Sequence, residues 1–456
     1  MTHLAPQIPA QPFAQDQDGS ATPLAIGFAV IFIIVGGLAV DFNKAMGERT
    51  QLQMAADSAA HAALYTREFE SVEDSKDAAF SAIVGMLPTA GFGTTALERA
   101  DIEFGTWDTS TGQFVIDNAS RDAARVFAEM TPRRGNASRN IFLGMAGHDT
   151  FAITTSSVYS IYYPPCFNEG FVANDVVDLQ SNNSYTNGFC IHSNTYVSLN
   201  QNNYFEPGTV VSMPSLDDLD IPSSGFEKNE GLQTALRSGE YRLRLLRQLP
   251  LRFQSLRDGE PEYATEAGVT EELPVLWPSI AGNGKNAAYK PISATNTGKK
   301  SFDAASFPDK NRIYQANCAG NGDITFAPET FSDFVLVTDC PIKFSNGTIL
   351  DSVVIATEGD VNASHVQLGL NDNCAPGGGA AIWTYGSVKT ASALSGYGAQ
   401  ILALGDVQFT ANANGIEGVS FISGGRIDGT SNSDMGFCEG GGTENFQRAS
   451  YFRMVN

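Results

Sequence analysis

The chain has 456 residues, room for two or three domains beyond any anchoring segment. Fifty acidic residues against 28 basic ones give a formal charge of −22. That balance argues against nucleic acid as a partner, because phosphate binding needs a basic face, and it disfavours broad adsorption to anionic lipid. Residues 1–22, rich in Pro and Gln, read as a disordered N-terminal tail. From Pro23 to Val40 there are 18 residues without a charge, close to the minimum for crossing a bilayer core of about 30 Å at about 1.5 Å per helical residue. Pro23 suits the first helical turn, where its missing N–H is not needed. The anchor residues are Pro23, Leu24, Ile26, Phe28, Val30, Ile31, Phe32, Ile33, Ile34, Val35, Leu38 and Val40.

Two blander readings of this run are a soluble core helix and a signal peptide. A core helix rarely lacks a polar face over such a length. A signal peptide ends at a small-residue cleavage site, whereas here Asp41 follows Val40 and helical periodicity continues through Leu52, Ala55, Ala56, Ala59, Ala60, Ala63 and Leu64. One helix over about 23–69, uncleaved, is therefore expected.

The sequences AVD at 39–41 and LQMAADSAAHAAL at 52–64, placed directly after the apolar run, resemble the N-terminal segment of the TadE/TadG-like pilus-assembly proteins of the Flp (Tad) pilus system. The resemblance is clearest over about residues 19–66, with a weaker echo to about 162. It implies a pilin-like structural component of the bacterial inner membrane, single-pass, without catalytic activity and in contact with other pilin-like or Tad pilus subunits. It also implies a periplasmic or extracellular C-terminal part. Two features of such proteins are not matched. A prepilin-type site would put Glu five residues after a Gly, but after Gly19 that position is Leu24; and the DxSxS metal motif of von Willebrand-type domains does not occur. The Ala stripe, with Ala55, Ala56, Asp57, Ala59, Ala60 and Ala63, offers a smooth face for helix packing, against either the chain's own next domain or a partner's helix. Gly27, Gly36 and Gly37 would allow close approach within the membrane.

Orientation draws on opposing signals. Residues 1–22 hold no Lys or Arg while Lys44 and Arg49 follow the span, and a simple positive-inside count would leave the C-terminus in the cytoplasm. Asp41 and Glu48 offset those two charges. Six well-separated cysteines, Cys166, Cys190, Cys318, Cys340, Cys374 and Cys438, without CxxC or zinc spacing, point instead to disulfides in an oxidising compartment. Their pairing is one of 15.

Residues 70–162 read as a small α+β domain. A short helix over 72–87 is stopped by Pro88, ADIEFGTWD and GQFVID alternate as a hairpin does, and ARVFAEM and TFAITTSSVYSIYY are further strands around a short helix near 138–146.

The part from 163 to 456 is governed by repeats. LQSNNSYTNGFCI at 179–191 and LNQNNYFEPGTVV at 199–211 superimpose at an offset of 20, matching Asn182 with Asn202 and Asn183 with Asn203. Further on, VLVTDCPI, VIATEGDV, IWTYGSV, ILALGDV and FISGGRI share a template centred on Cys340, Gly359, Gly386, Gly405 and Gly425. A small residue stands two before (Thr338, Thr357, Thr384, Ala403, Ser423) and an aliphatic one two after (Ile342, Val361, Val388, Val407, Ile427). Steps of 19, 27, 19 and 20 residues suit a parallel β-helix, whose coils cannot bury their inward faces alone. The 27-residue step marks an excursion at 371–380. Stacked Asn pairs would form amide ladders at about 4.8 Å. An ordinary β-sandwich would not keep side-chain identity at a fixed offset. Residues 215–320 break the pattern and read as a partly helical insertion between the first two coils and the later ones, with helical spacing of Leu232, Leu236, Leu243 and Leu246. Such a helix would cap a coil end or brace the side.

The expected architecture is thus mixed α/β: a transmembrane and stalk helix (23–69), a small α+β domain (70–162) and a right-handed parallel β-helix (163–456) interrupted at about 215–320. No HExxH, P-loop, GxSxG or EF-hand loop occurs and the five histidines are scattered, so no enzymatic activity, cofactor or metal is expected. The best remaining catalytic pair is Asp360 and Asp406, at one template position two coils apart, about 10 Å between Cα atoms and near the upper end for inverting carboxylates. Asp at a strand end more often bonds nearby backbone N–H groups. Arg237, Arg242, Arg244, Arg247, Arg252 and Arg257 form either a solvated face paired with the protein's own carboxylates or a dock for an acidic subunit or anionic envelope polymer. The function expected is a membrane-anchored, pilin-like component displaying a β-helix for envelope contact or adhesion. The alternative is a membrane-tethered polysaccharide-processing or carbohydrate-binding protein.

Overall fold

The computed structural model describes residues 21–258, 289–292, 300–310, 312–318, 322–409, 411–429, 431–438 and 447–455. The N-terminal tail, apart from its last two residues, and much of the polar part of 215–320 lie outside them. The chain divides into two compact units, residues 1–161 with 452–456, and residues 162–451.

In the first unit a single helix, α1 (Ala21–Arg67), runs for 47 residues. Its two parts differ in environment: Leu24 to Val40 present their large side chains outward, while Leu52, Ala55, Ala56, Ala59, Ala60, Ala63 and Leu64 are fully buried. Helix α2 (Val72–Val84) starts where the Ser71 side chain accepts the Asp74 N–H at 3.2 Å, with Glu73 and Asp74 in its first turn favoured by the helix dipole. Strands β1 (Ile102–Asp108), β2 (Gln113–Ile116), β3 (Ala123–Met130) and β4 (Ile153–Tyr162) form an antiparallel sheet in the order β2-β1-β3-β4, completed by the C-terminal strand Tyr451–Met454 beside β4. Alternation in β3 turns Ala124, Val126, Ala128 and Met130 inward. Small residues on both α1 and β3 bring helix and sheet close together.

The second unit is a stack of parallel coils, an arrangement consistent with a β-helix. The offset of 20 read from the sequence is the coil length, because Gly170 pairs with Cys190 and Cys190 with Val210. The later template is also a set of coil positions: Thr338, Thr357, Thr384, Ala403 and Ser423 lie on consecutive rungs, and so do Ile342, Val361, Val388, Val407 and Ile427.

The order of the coils is not the order of the chain. Along one face the rungs run from Tyr289–Ile292 through Arg312–Ala316, Thr330–Thr338, Thr348–Thr357, Ala380–Thr384 and Ala399–Ala403 to Ser420–Ser423. The next rung is Gly170–Ala173, followed by Cys190–Ser193, Val210–Met213 and Leu236–Ser238. The chain therefore enters mid-stack, climbs to one end, crosses to the other and winds back until its last coil lies on its first. Residues 215–320 differ from the expected insertion: they complete the third coil begun at Val210 (Asn229–Glu230), start a fourth (Leu236–Ser238) and supply the opening strands of the opposite end (Tyr289–Ile292, Lys300–Phe302 and Arg312–Ala316), and they link the two outer ends. Register explains why. Each coil offers its neighbour the same kind of parallel edge, so Phe421 stacks on Phe171 as well as any sequence neighbour would, with centroids 5.4 Å apart.

The expected helix through Leu232, Leu236, Leu243 and Leu246 is broken in two. α3 (Leu232–Ala235) places Leu232 and Ala235 in the coil interior at the end beyond Val210–Met213. Leu236 then starts a coil strand, and α4 (Arg244–Asp258) lies along the side, against Thr330–Thr338 and Ala399–Ala403. Leu245, Leu249, Phe253 and Leu256 cover the outward residues Val335, Val354, Trp383 and Leu402, so that one coil face is buried on both sides.

Candidate membrane-anchoring site

The most constructed polar feature of the first unit stands where the uncharged part of α1 ends. Asp41, 1 % exposed, accepts three backbone N–H groups from one loop: Ile141 at 2.9 Å, Phe142 at 2.9 Å and Leu143 at 2.7 Å. Burial opposes its charge, but the Leu143, Ile141 and Phe142 N–H groups and the Lys44 ammonium outweigh it and hold the carboxyl below its ordinary range. One turn earlier Phe142 presses on Gly37, where a Cβ would stand 2.5 Å from the Phe142 Cβ. Lys44 donates to the Arg139 carbonyl at 2.7 Å and pairs with Glu48 at 3.3 Å. The last residue of the AVD motif thus fastens the loop 140–147 to the anchor. The short helix expected near 138–146 is a single 3-10 turn, Leu143–Ala146, after a two-residue strand at Ser138–Arg139. That the loop fastens to the anchor was not read from the sequence, although its apolar run IFLGM between polar neighbours was a visible signal.

The Ala stripe is enclosed by its own chain. Ala55, Ala56, Ala59, Ala60 and Ala63 pack with Ala79, Phe104, Val126 and Ala128, while Asp57 accepts from Gln53 at 2.8 Å. Of the two partners considered for this face, the chain's own α2 and sheet occupy it.

The cysteines form three disulfides, Cys166–Cys190, Cys318–Cys340 and Cys374–Cys438. The third ties the excursion at 371–380 to the last coil. Among the described residues, Cys318, Asp339 and Cys340 are the grouping tight enough for an ion, but its sulfurs are joined to each other.

The six arginines do not share one face. Arg244 donates to the Ser450 carbonyl, Arg252 to Gln248 and to the Arg448 carbonyl, and Arg257 pairs with Glu358. Arg237 bonds the carbonyls of Thr234 and Leu236, and Arg242 and Arg247 are exposed. Half of the set thus secures α4. Asp360 and Asp406 serve the next coil's backbone: Asp360 accepts the Ser387 N–H at 2.8 Å and Asp406 the Arg426 N–H at 3.0 Å.

Two family models match the chain. One, described as a domain of unknown function (DUF7867), covers residues 170–439, more than half of the chain. The chain belongs to the DUF7867 family. The match coincides with the coil stack, from its first strand to just past Cys438. The second model, Flp pilus-assembly TadE/G-like, covers residues 19–66, the helix carrying both the uncharged run and the Ala stripe. Together with that helix, apolar and long enough to cross a bilayer, it supports a membrane-anchored, single-pass protein associated with the Tad pilus. No curated protein and no solved structure matches.

Proposed function

We propose that this DUF7867 protein is a structural, non-catalytic component of a Tad-type pilus, a minor pilin, assembly or tip subunit. It is held in the bacterial inner membrane by residues 23–40 and exposes its coil stack to the periplasm or the cell exterior, for envelope contact or adhesion. The observation that carries this reading is the continuity of α1: one helix joins an outward-facing apolar run to an Ala stripe packed in a folded unit, over the stretch that matches the Tad model. Three disulfides suit an oxidising compartment. A right-handed winding is proposed for the stack, because parallel crossovers take that hand almost without exception. Deleting the gene should abolish or shorten pili, and a C-terminal alkaline phosphatase fusion should be active. Normal pili together with an inactive fusion would remove the proposal.

One observation favours a second reading, a carbohydrate-binding surface. An open groove of about 320 Å³ is lined by Asp178, Gln180, Ser198, Asn200 and Asp220, whose carboxylates, amides and hydroxyl suit sugar hydroxyls. Glycan-array binding by the purified protein, lost in Asp220→Ala, would support it; a blank array would not.

A further inference from the structure

Ile141, Phe142 and Met145 are 61 %, 37 % and 85 % exposed. Three large apolar side chains on one short loop are costly in water unless something covers them. The loop is not free to turn them away, because Asp41 holds the N–H groups of Ile141, Phe142 and Leu143 and Phe142 is seated on Gly37. These contacts fix its height along α1. At about 1.5 Å per residue Gly37 stands about 4.5 Å before Val40, so Phe142 lies beside the last turn of the uncharged run. On the polar side of the loop stand Lys44 and the exposed Arg139, joined through the Arg139 carbonyl, at the height where lipid phosphates meet water.

The geometry points to an interfacial foot: the loop 140–147 lies in the headgroup and upper acyl region of the bilayer that α1 crosses. Ile141, Phe142 and Met145 enter the acyl boundary beside the anchor. The inference rests on reading residues 23–40 as a membrane span. A single helix fixes neither its own rotation nor its depth; a second apolar contact, rigidly joined at Asp41, fixes both. The foot would thereby set how the first unit stands on the membrane.

The test uses the full chain in phosphatidylcholine nanodiscs. Its six cysteines are paired, so Ile141→Cys, Met145→Cys, Ile31→Cys and Val115→Cys can each carry one environment-sensitive fluorophore. Labels at 141 and 145 should be blue-shifted and lose most of their emission to lipid with a quencher near its headgroup. The label at 31, about 13.5 Å deeper than Val40, should lose its emission to lipid with a quencher at mid-acyl depth, and the label at 115, on the exposed strand β2, responds only to an aqueous quencher. If the label at 31 is quenched by lipid but those at 141 and 145 behave like 115, the foot is wrong and the span stands. If the label at 31 also stays unquenched by lipid, the span fails and the foot with it. Labels at 141 and 145 shielded from both quenchers would mean a second copy covers the loop, which also overturns the foot.

Discussion

Asn203 Oδ1 accepts the backbone N–H of Asn183 at 3.0 Å, across one coil of the stack. The same bond recurs on each side: Asn229 Oδ1 accepts from Asn203 N–H at 3.2 Å and Asn183 Oδ1 from Ser433 N–H at 3.1 Å. Two of these amides are also held within their own coils, Asn183 Nδ2 by the Gln180 carbonyl and Asn203 Nδ2 by the Asn200 carbonyl, both at 3.0 Å. Asn203→Ala leaves the buried Asn183 N–H without its acceptor, and a loss of about 1–3 kcal/mol is expected. Its neighbour Asn202, exposed at φ 60°, should tolerate Asn202→Gly at a cost of at most about 1 kcal/mol, since glycine takes positive φ readily. Urea titrations of both variants decide the matter; equal midpoints would show that the buried ladder carries no special weight.

The coil order makes a second prediction. Asn182 Nδ2 donates to Asn432 Oδ1 at 3.1 Å, although 250 residues separate them. Parallel rungs are about 4.8 Å apart, within the Cα range of a disulfide. The double variant Asn182→Cys/Asn432→Cys should therefore crosslink under mild oxidation, shifting mobility on a non-reducing gel. A stack built in chain order would hold these positions many rungs apart and give no crosslink.

The coil period, the Asn182/Asn202 and Asn183/Asn203 stacking and the five-fold template were legible because one coil is a local unit whose residues recur at a fixed offset. What the template's small residue does was not legible. Thr357 Oγ1 donates to the Cys340 carbonyl at 2.5 Å and accepts the Gly359 N–H at 3.0 Å; Thr384 does the same with the Gly359 carbonyl and Gly386 N–H, and Ser423 with the Gly405 carbonyl and Gly425 N–H. The position selects a hydroxyl that stitches coil to coil, and Ala403 is its exception. Coil order was hidden for another reason, since a stack with equivalent edges leaves no mark in sequence of which edge meets which. The Asp41 clamp joins residues 100 apart through backbone N–H groups, and backbone donors have no sequence signature.

The three disulfides should contribute unequally. In the chain-entropy account a 64-residue separation, as for Cys374–Cys438, is worth about 4.3 kcal/mol, and separations of 22 to 24, as for the other two, about 3.4 kcal/mol. Replacing Cys374 and Cys438 together by Ser should lower the denaturation midpoint most. Peptide mapping without reduction should recover these three pairs, and any other pairing of the six cysteines would contradict the fold.

Packing of the Ala stripe can be tested by size. Ala60 is fully buried between α1 and its own unit, where extra methylenes have no space. Ala60→Leu should cost about 1–3 kcal/mol, whereas Ala60→Ser should be milder. If instead Ala60→Leu left the thermal midpoint of the detergent-solubilised protein unchanged, the stripe would not be closed in as described.

The Asp41 clamp should be sensitive to acid. Its carboxyl titrates below the ordinary value in the folded protein because the loop N–H groups and Lys44 favour the charged form over the opposing effect of burial. A lowered folded pKa means that the unfolded loop binds its proton first as pH falls. The contribution is therefore fully present above about pH 4 and is lost as pH drops through the folded value. Amide exchange at Ile141, Phe142 and Leu143, corrected for intrinsic rates, should stay slow from neutral pH to about pH 4 and quicken below it. Asp41→Asn, with one acceptor oxygen in place of two and no charge, should exchange faster already at neutral pH and show no such step. Protection in Asp41→Asn equal to that of the parent protein would mean that the loop is held by Phe142 on Gly37 alone.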